Sequence, residues 1–271
     1  MKTVWITGAS SGFGAASVRW FVEHGWRVGA WARRADRLAQ LRDEVLAASP
    51  SAELWVDSVD VRDAAAVQAA WDRRPFAEVD VLVNNAGLAR GRESIEEGSL
   101  QDWDEMIDTN LKGLLYVTRA VAPTMVARGH GHIINIGSLA GREAYPGGNV
   151  YGASKFAVDG LTDGMRLDLT PKGIKVSQIA PGLADTEFST VRFHGDRSKA
   201  ALVYSGMQPL SPDDVAEVIG YVAAAPAHTL TLPTSCSCLP PKHHQPKYAE
   251  HESNYSPPPS APFGGLRPTR S

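Results

Sequence analysis

Cysteine is nearly absent: the 271 residues contain two, Cys236 and Cys238. So sparse a supply excludes a disulfide framework as the source of stability. Long hydrophobic runs are also missing. No stretch approaches the roughly 18–20 apolar residues of a membrane span, and the first apolar stretch, Val4-Trp5-Ile6, is far too short for a signal peptide. A cytoplasmic location with no membrane partner is the expectation. Excess charge of either sign is lacking too: the formal net charge is -3, with basic residues scattered rather than massed. That balance gives no electrostatic case for nucleic acid and leaves a small-molecule substrate as the expected partner. Internal repeats of 20–50 residues are absent, which excludes a solenoid or propeller.

What is present is an ordinary globular composition, 43% hydrophobic and 21% charged, with one discontinuity. Both cysteines and nine of the 18 prolines fall in the last 43 residues. Residues 1–228 therefore read as one catalytic-size domain, and 229–271 as a proline-rich, disordered tail. Within that tail Thr229-Leu230-Thr231-Leu232 could form one short residual strand before Pro233 stops it. Cys236, Cys238, His243, His244 and His251 suggest a metal site. Zinc ligands need turns and a small core to fix them, and this segment offers neither, so no metal is expected.

From residue 1 to about 225, short β-branched runs alternate with longer amphipathic stretches, the pattern of βαβ units around a parallel sheet. Strands are predicted at 3–7, 27–32, 53–60, 79–84, 132–137 and 175–180. Helices are predicted at 12–24, 35–48, 64–73, 102–128, 150–170 and 212–225, the last opening with proline at its first position. The fold class is α/β: a single doubly wound, Rossmann-type parallel sheet with helices on both faces and a seventh strand truncated or missing.

The first strand runs into Thr7-Gly8-Ala9-Ser10-Ser11-Gly12-Phe13-Gly14, where a helix pattern begins. Glycines at such a turn let backbone approach a pyrophosphate, and the helix N-terminus aims its N–H groups at the anion. Gly8, Ser10, Ser11, Gly12, Phe13 and Gly14 are thus candidate dinucleotide contacts, although a structural βα turn could use the same residues. After the second strand come Arg33 and Arg34, with no carboxylate until Asp36. Arginine there suits a 2′-phosphate, whereas a carboxylate would select NAD, so NADP is favoured. Asp60-Val61 places a carboxylate beside an adenine, or simply caps the next helix.

Farther on, Asn84-Asn85-Ala86-Gly87 ends the fourth strand, and Ser138 follows the fifth at the edge where open α/β sheets hold ligands. Tyr151-Gly152-Ala153-Ser154-Lys155 then puts Tyr151 and Lys155 on one helix face. These motifs, in this order, resemble the short-chain dehydrogenase/reductase family over residues 1 to about 228. The resemblance implies a tetrad of Asn110, Ser138, Tyr151 and Lys155. It implies cofactor contacts from Asn84, Ala86, Gly87, Tyr151, Lys155, Pro181, Gly182 and Thr186, with Pro181-Gly182 lining the nicotinamide and Thr186 touching its carboxamide. Tyr151 would exchange the substrate proton while hydride moves, Ser138 would hold the oxygen, and Asn110 would kink its helix and hold a water linking Lys155 to solvent. A tyrosine working near neutrality needs its pKa lowered by about 3 units, or about 4 kcal/mol, through nearby positive charge.

Two stretches, 147–151 and 181–196, are similar to the branch of NADP-dependent dehydrogenases of serine and other 3-hydroxy acids, which also reduce malonic semialdehyde. An acid substrate wants a cationic anchor, and Arg142 and Arg192 are the candidates. Residues 183–205 are expected to close over substrate. A broad carbonyl or 3-oxoacyl reductase would use the same machinery. A catalytically silent NADP-binding scaffold is the alternative from another class. The family's usual tetramer implies a homo-oligomer. Loss of most of the seventh strand, through a frame-disrupted or lineage-specific end, would weaken one interface and leave dimers.

Overall fold

A computed structural model describes residues 1–226 and the backbone of 234–236. Seven parallel strands form one sheet: β1 (Thr3–Thr7), β2 (Arg27–Ala32), β3 (Leu54–Ser58), β4 (Val81–Asn84), β5 (Gly131–Ile136), β6 (Ile174–Pro181) and β7 (Thr234–Cys236). Their order is β3-β2-β1-β4-β5-β6-β7. Chain direction across the sheet reverses between β1 and β4, and the crevice at that switch is where such sheets bind ligands. The six predicted strands are all present, with ends shifted by at most two residues. β7 has three residues and pairs Ile179 with Thr234 through Pro181 with Cys236. The short strand expected at 229–232 and the remaining predicted tail, with Cys238, His243, His244 and His251, lie outside the described residues.

Strand alternation divides the core. Val4, Ile6, Val81, Val83 and Ile134 face one side and pack with Val18 and Phe21 of α1 (Gly12–Glu23), Leu38 and Leu41 of α2 (Ala35–Ala48) and Val215 and Ile219 further along the chain. Trp5, Leu82 and Ile133 face the other side, against Val67 and Trp71 of α3 (Ala64–Asp72) and residues of the long helical region that follows β4. Trp5 is fully buried and lies edge-on to Trp31 and Trp71. Its ring covers Gly29 so closely that a Cβ there would stand 2.2 Å from it. The close approach explains glycine in the middle of β2.

The single helix predicted over 102–128 is instead three pieces: α4 (Leu100–Ile107), a π-helical turn at Asp108–Gly113 and α5 (Leu114–Arg128). A π turn inserts one extra residue per turn, and such turns gather at functional sites. The remaining helices are α6 (Asn149–Leu169), α7 (Glu187–Arg192), α8 (Arg197–Leu202) and α9 (Pro212–Ala224). α9 opens with a reciprocal cap in which Ser211 and Asp214 each accept the other's backbone N–H, and it packs on α1 through Gly220, against the ring of Trp20. Among the described residues no helix is long and apolar enough to cross a membrane.

Candidate active site

Thr7 holds the crevice together at the end of β1. Its hydroxyl accepts the N–H of Asn85 at 3.1 Å and of Ala86 at 3.0 Å. Asn85 answers by donating through Nδ2 to the Thr7 carbonyl at 2.8 Å. Gly8 and Gly12 have φ of +68° and +52°, a left-handed backbone that glycine adopts without cost. Gly14 is needed for space: a Cβ would stand 2.3 Å from the Gly8 carbonyl oxygen. Ser11 is the N-cap of α1 yet makes no side-chain cap bond, so the first N–H groups of the helix remain available to an anion.

The guanidinium of Arg34 lies on the same loop, with Nε 3.2 Å from Ser10 Oγ and Nη2 2.7 Å from Ser11 Oγ. Arg33 pairs with Glu105 at 3.4 Å. Asp60 is gripped by Arg62 at 2.6 Å, which holds its carboxyl below the usual range despite partial burial. Helix α3 is capped by Asp63, whose Oδ1 accepts from Ala65 and Ala66, and not by Asp60. Val61 beside it is buried.

At the ends of β4 and β5 the predicted tetrad comes together. Tyr151 and Lys155 are 8% and 6% exposed. Lys155 Nζ donates to the Ile136 carbonyl at 2.9 Å and lies 6.0 Å from the Tyr151 ring centre. Burial pushes Lys155 down to about 8. Burial pushes Tyr151 up to about 12, against the pull of a hydrogen bond from Ser138 and the charge of Arg192. The lowering expected of this tyrosine is therefore not achieved by the protein alone, because loss of hydration outweighs the nearby positive charge. Ser138 caps a short 3-10 turn by accepting from Ala140 N–H at 3.1 Å.

Asn110 sits in the π turn, 2% exposed. Its Nδ2 donates to Leu88 O and to Ser154 Oγ, and its Oδ1 accepts from Leu88 N–H. Gly87 makes this approach possible, since a Cβ would lie 3.2 Å from Asn110 Oδ1 and 3.6 Å from Lys155 Nζ.

A segment running from β6 through α7 covers the tyrosine. Thr186 caps α7, meets Gly12 and sits two residues before Phe188, whose ring lies edge-on to Tyr151 at 5.5 Å. Arg192 closes the far side. It donates to Gly91 O, Tyr145 Oη and Gly147 O at 2.9, 2.9 and 3.0 Å, and its guanidinium stands 5.8 Å from the Tyr151 ring centre. Arg92, Trp103, Asn149 and Tyr151 border with it a shallow recess, partly open to solvent, whose lining also includes Arg90, Glu93 and Asp102. Arg142, the other predicted anchor, instead pairs with Asp159 at 3.8 Å and is not among the residues bordering the recess.

This geometry has a family behind it. The short chain dehydrogenase family model matches residues 2–196. The chain belongs to the short chain dehydrogenases. Among its relatives, the NADP-dependent 3-hydroxy acid dehydrogenase YdfG of Escherichia coli K12 is 47% identical over 228 residues, 83% of this chain and 90% of that one. Sulfoacetaldehyde reductase 2 of Chromohalobacter salexigens is 46% identical over 228 residues, covering 83% and 89%. A solved structure described as the closed form of serine dehydrogenase complexed with NADP+ superposes with a TM-score of 0.82 at 41% identity, covering 99% of this chain and 100% of that one.

Of the residues expected to touch the cofactor, Asn84 has its side chain turned into the core. Asn84 is 4% exposed and donates to Thr118 and Asn135 within the core, so its side chain is committed away from the crevice. Its neighbour Asn85 is the one on the loop. Sequence reasoning did not single out Asn85, Arg90 or Tyr145, whose partners lie 15 to 101 positions away and leave no local pattern.

Proposed function

We propose that the chain is an NADP-dependent oxidoreductase acting on short 3-hydroxy acids or their 3-oxo counterparts. The cofactor reading rests on residues that fit it: an uncapped helix N-terminus behind a glycine loop, and Arg34 braced on Ser10 and Ser11 where a 2′-phosphate would lie. Gly8, Ser10, Ser11, Gly12, Phe13 and Gly14 would hold the pyrophosphate, and Arg33 and Arg34 the 2′-phosphate. Asp60 and Val61 would flank the adenine. Ala86, Gly87, Tyr151, Lys155, Pro181, Gly182 and Thr186 would line the nicotinamide end. When bound, the nicotinamide supplies or accepts the hydride.

The chain's own residues handle the proton. Tyr151, protonated around neutral pH, donates to the carbonyl oxygen as the substrate carbon is reduced. Ser138 donates a hydrogen bond to that oxygen, one that strengthens as negative charge develops. Lys155 stays mostly charged below about pH 8 and stabilises the tyrosinate left behind. Asn110 is a positioning residue, holding the turn that carries Gly87 and Leu88 against Lys155.

The observation that favours an acid is Arg192. Its three bonds all go to uncharged oxygens, and no carboxylate among the described residues pairs with it, so its charge stands beside Tyr151 on a recess where Arg90, Arg92 and Arg192 outnumber Glu93 and Asp102. A carboxylate two carbons from the reacting carbon is the complement of that arrangement. The relatives named for 3-hydroxy acids and sulfoacetaldehyde share with it an anionic group on a short chain.

The test is NADPH consumption with short 3-oxo acids, semialdehydes and neutral ketones. Turnover of the acids above the neutral compounds is expected, and equal turnover of both would favour a broad carbonyl reductase. Absence of NADPH binding would remove the reading. A dimer is proposed as the working form, with exposed Leu115 of α5 and Phe156 of α6 as apolar contacts. Light scattering is expected to give twice the chain mass.

A further inference from the structure

Both arginines assigned above to the 2′-phosphate are engaged by carboxylates from elsewhere in the chain. Arg33 pairs with Glu105, which it shares with Arg62 and Arg90. That group keeps a surplus of positive charge. Arg34 is held differently. Its Nη1 lies 2.9 Å from Glu187 Oε2, and Arg37 reaches the other oxygen of the same carboxylate at 3.4 Å. Arg34, with Ser11 and Arg37, holds the Glu187 carboxyl below its ordinary pKa. Glu187 is thus fully ionised near neutral pH and rests in a cradle of two guanidiniums and a hydroxyl. Those are the donors a phosphate dianion asks for.

Glu187 is also the first residue of α7, directly after Thr186. The cradle comes from the β1–α1 loop and α2, whereas its occupant comes from the segment that covers Tyr151. We propose that Glu187 competes with the cofactor's 2′-phosphate for Arg34 and is displaced from it when the phosphate binds. This rests on the NADP reading above and adds a residue that sets cofactor affinity and the preference between phosphorylated and unphosphorylated dinucleotides. Three of the five guanidinium N–H groups of Arg34 are already directed at Ser10, Ser11 and Glu187. A phosphate arriving there meets a like charge at hydrogen-bonding distance, and that repulsion is relieved only when the carboxylate leaves.

Removing the charge while keeping the shape isolates the effect. Glu187→Gln is expected to tighten binding of NADPH and of 2′,5′-ADP by about three- to tenfold, because the pair is about 40% exposed and partly screened. Binding of NADH and 5′-AMP, which lack the 2′-phosphate, should change less than twofold. Affinities are read by fluorescence titration for the reduced dinucleotides and by calorimetry for the nucleotides, with thermal melting confirming that the variant is folded. Glu187→Ala serves as a second variant and should shift the same way. Unchanged or weaker binding of 2′,5′-ADP by both variants would overturn the proposal alone. A wild-type chain that binds neither NADPH nor 2′,5′-ADP would overturn it together with the cofactor reading.

Discussion

Asn110 grips both backbone groups of Leu88: its Oδ1 accepts the Leu88 N–H at 2.8 Å and its Nδ2 donates to the Leu88 carbonyl at 2.9 Å. The π turn brings this about, since the extra residue leaves Asn110 facing the loop after β4. Replacing it leaves a buried N–H and a buried C=O without partners, each costing about 1–3 kcal/mol. Asn110→Ala is therefore expected to lose about 2–6 kcal/mol in urea unfolding. It should also reduce turnover more than it weakens NADPH binding. A variant as stable as the wild type would contradict the role given to this side chain.

Tyr151 and Lys155 set the expected pH dependence of reduction. The phenol is protonated at every working pH, so the controlling group is Lys155, pushed down to about 8. Above that value the ammonium charge that stabilises the tyrosinate disappears. Reductive kcat/KM is expected to be level below about pH 8 and to fall above it. A profile flat to pH 10 would remove Lys155 from this role. Tyr151→Phe should lower turnover at least about 100-fold while leaving NADPH affinity within about twofold.

Much of this site is legible along the chain because local chemistry writes it there. Glycines at 8 and 12 answer left-handed backbone, and the unbroken apolar run Val4-Trp5-Ile6 answers a sheet covered on both faces. The break in 102–128 is foreseen only through the family resemblance, which has Asn110 kink its helix, and not by the local pattern. No proline marks Asp108–Gly113, and the turn is stabilised by Leu88 and Ser154, 22 and 44 positions away. The side-chain directions of Asn84 and Asn85 are not legible for a related reason: adjacent residues at a strand end face opposite ways, and only the partners Thr118 and Thr7 decide which one reaches the loop. The Tyr151 pKa likewise depends on packing by Phe188 and the segment around it, which no spacing reveals.

His132 makes a second pH effect, on stability. It is 5% exposed on β5, bonded to Ser177 Oγ at 2.8 Å, and burial beside Lys175 pushes it down to about 3. Between that value and about 6.5 the unfolded chain binds a proton that the folded chain does not, so stability falls as pH falls through the window. At pH 5 the penalty from this group is about 2 kcal/mol, and at pH 7 it is nearly absent. His132→Gln is expected to flatten that part of the urea-midpoint profile relative to the wild type. Parallel profiles from pH 7 to 5 would show that the ring is not buried in its neutral form.

Arg192 is where substrate class can be tested with Ser138, Tyr151 and Lys155 left in place, a neutral ketone serving as the control for its effect on the Tyr151 phenol. Its guanidinium holds Gly91, Tyr145 and Gly147 together while leaving its charge unpaired above Tyr151. Charge-assisted hydrogen bonds are worth about 1.5–3 kcal/mol, a factor of roughly 10 to 100 in affinity. Arg192→Lys keeps the charge and loses the planar fork, whereas Arg192→Gln keeps two N–H donors and loses the charge. For a 3-oxo acid, KM should rise about 10- to 100-fold in the glutamine variant and less in the lysine variant, with kcat changing little. For a neutral ketone of the same length, KM should stay within about threefold in both. Equal losses on acid and ketone would mean that Arg192 only braces the segment over Tyr151, and the preference for acids would then need another cation.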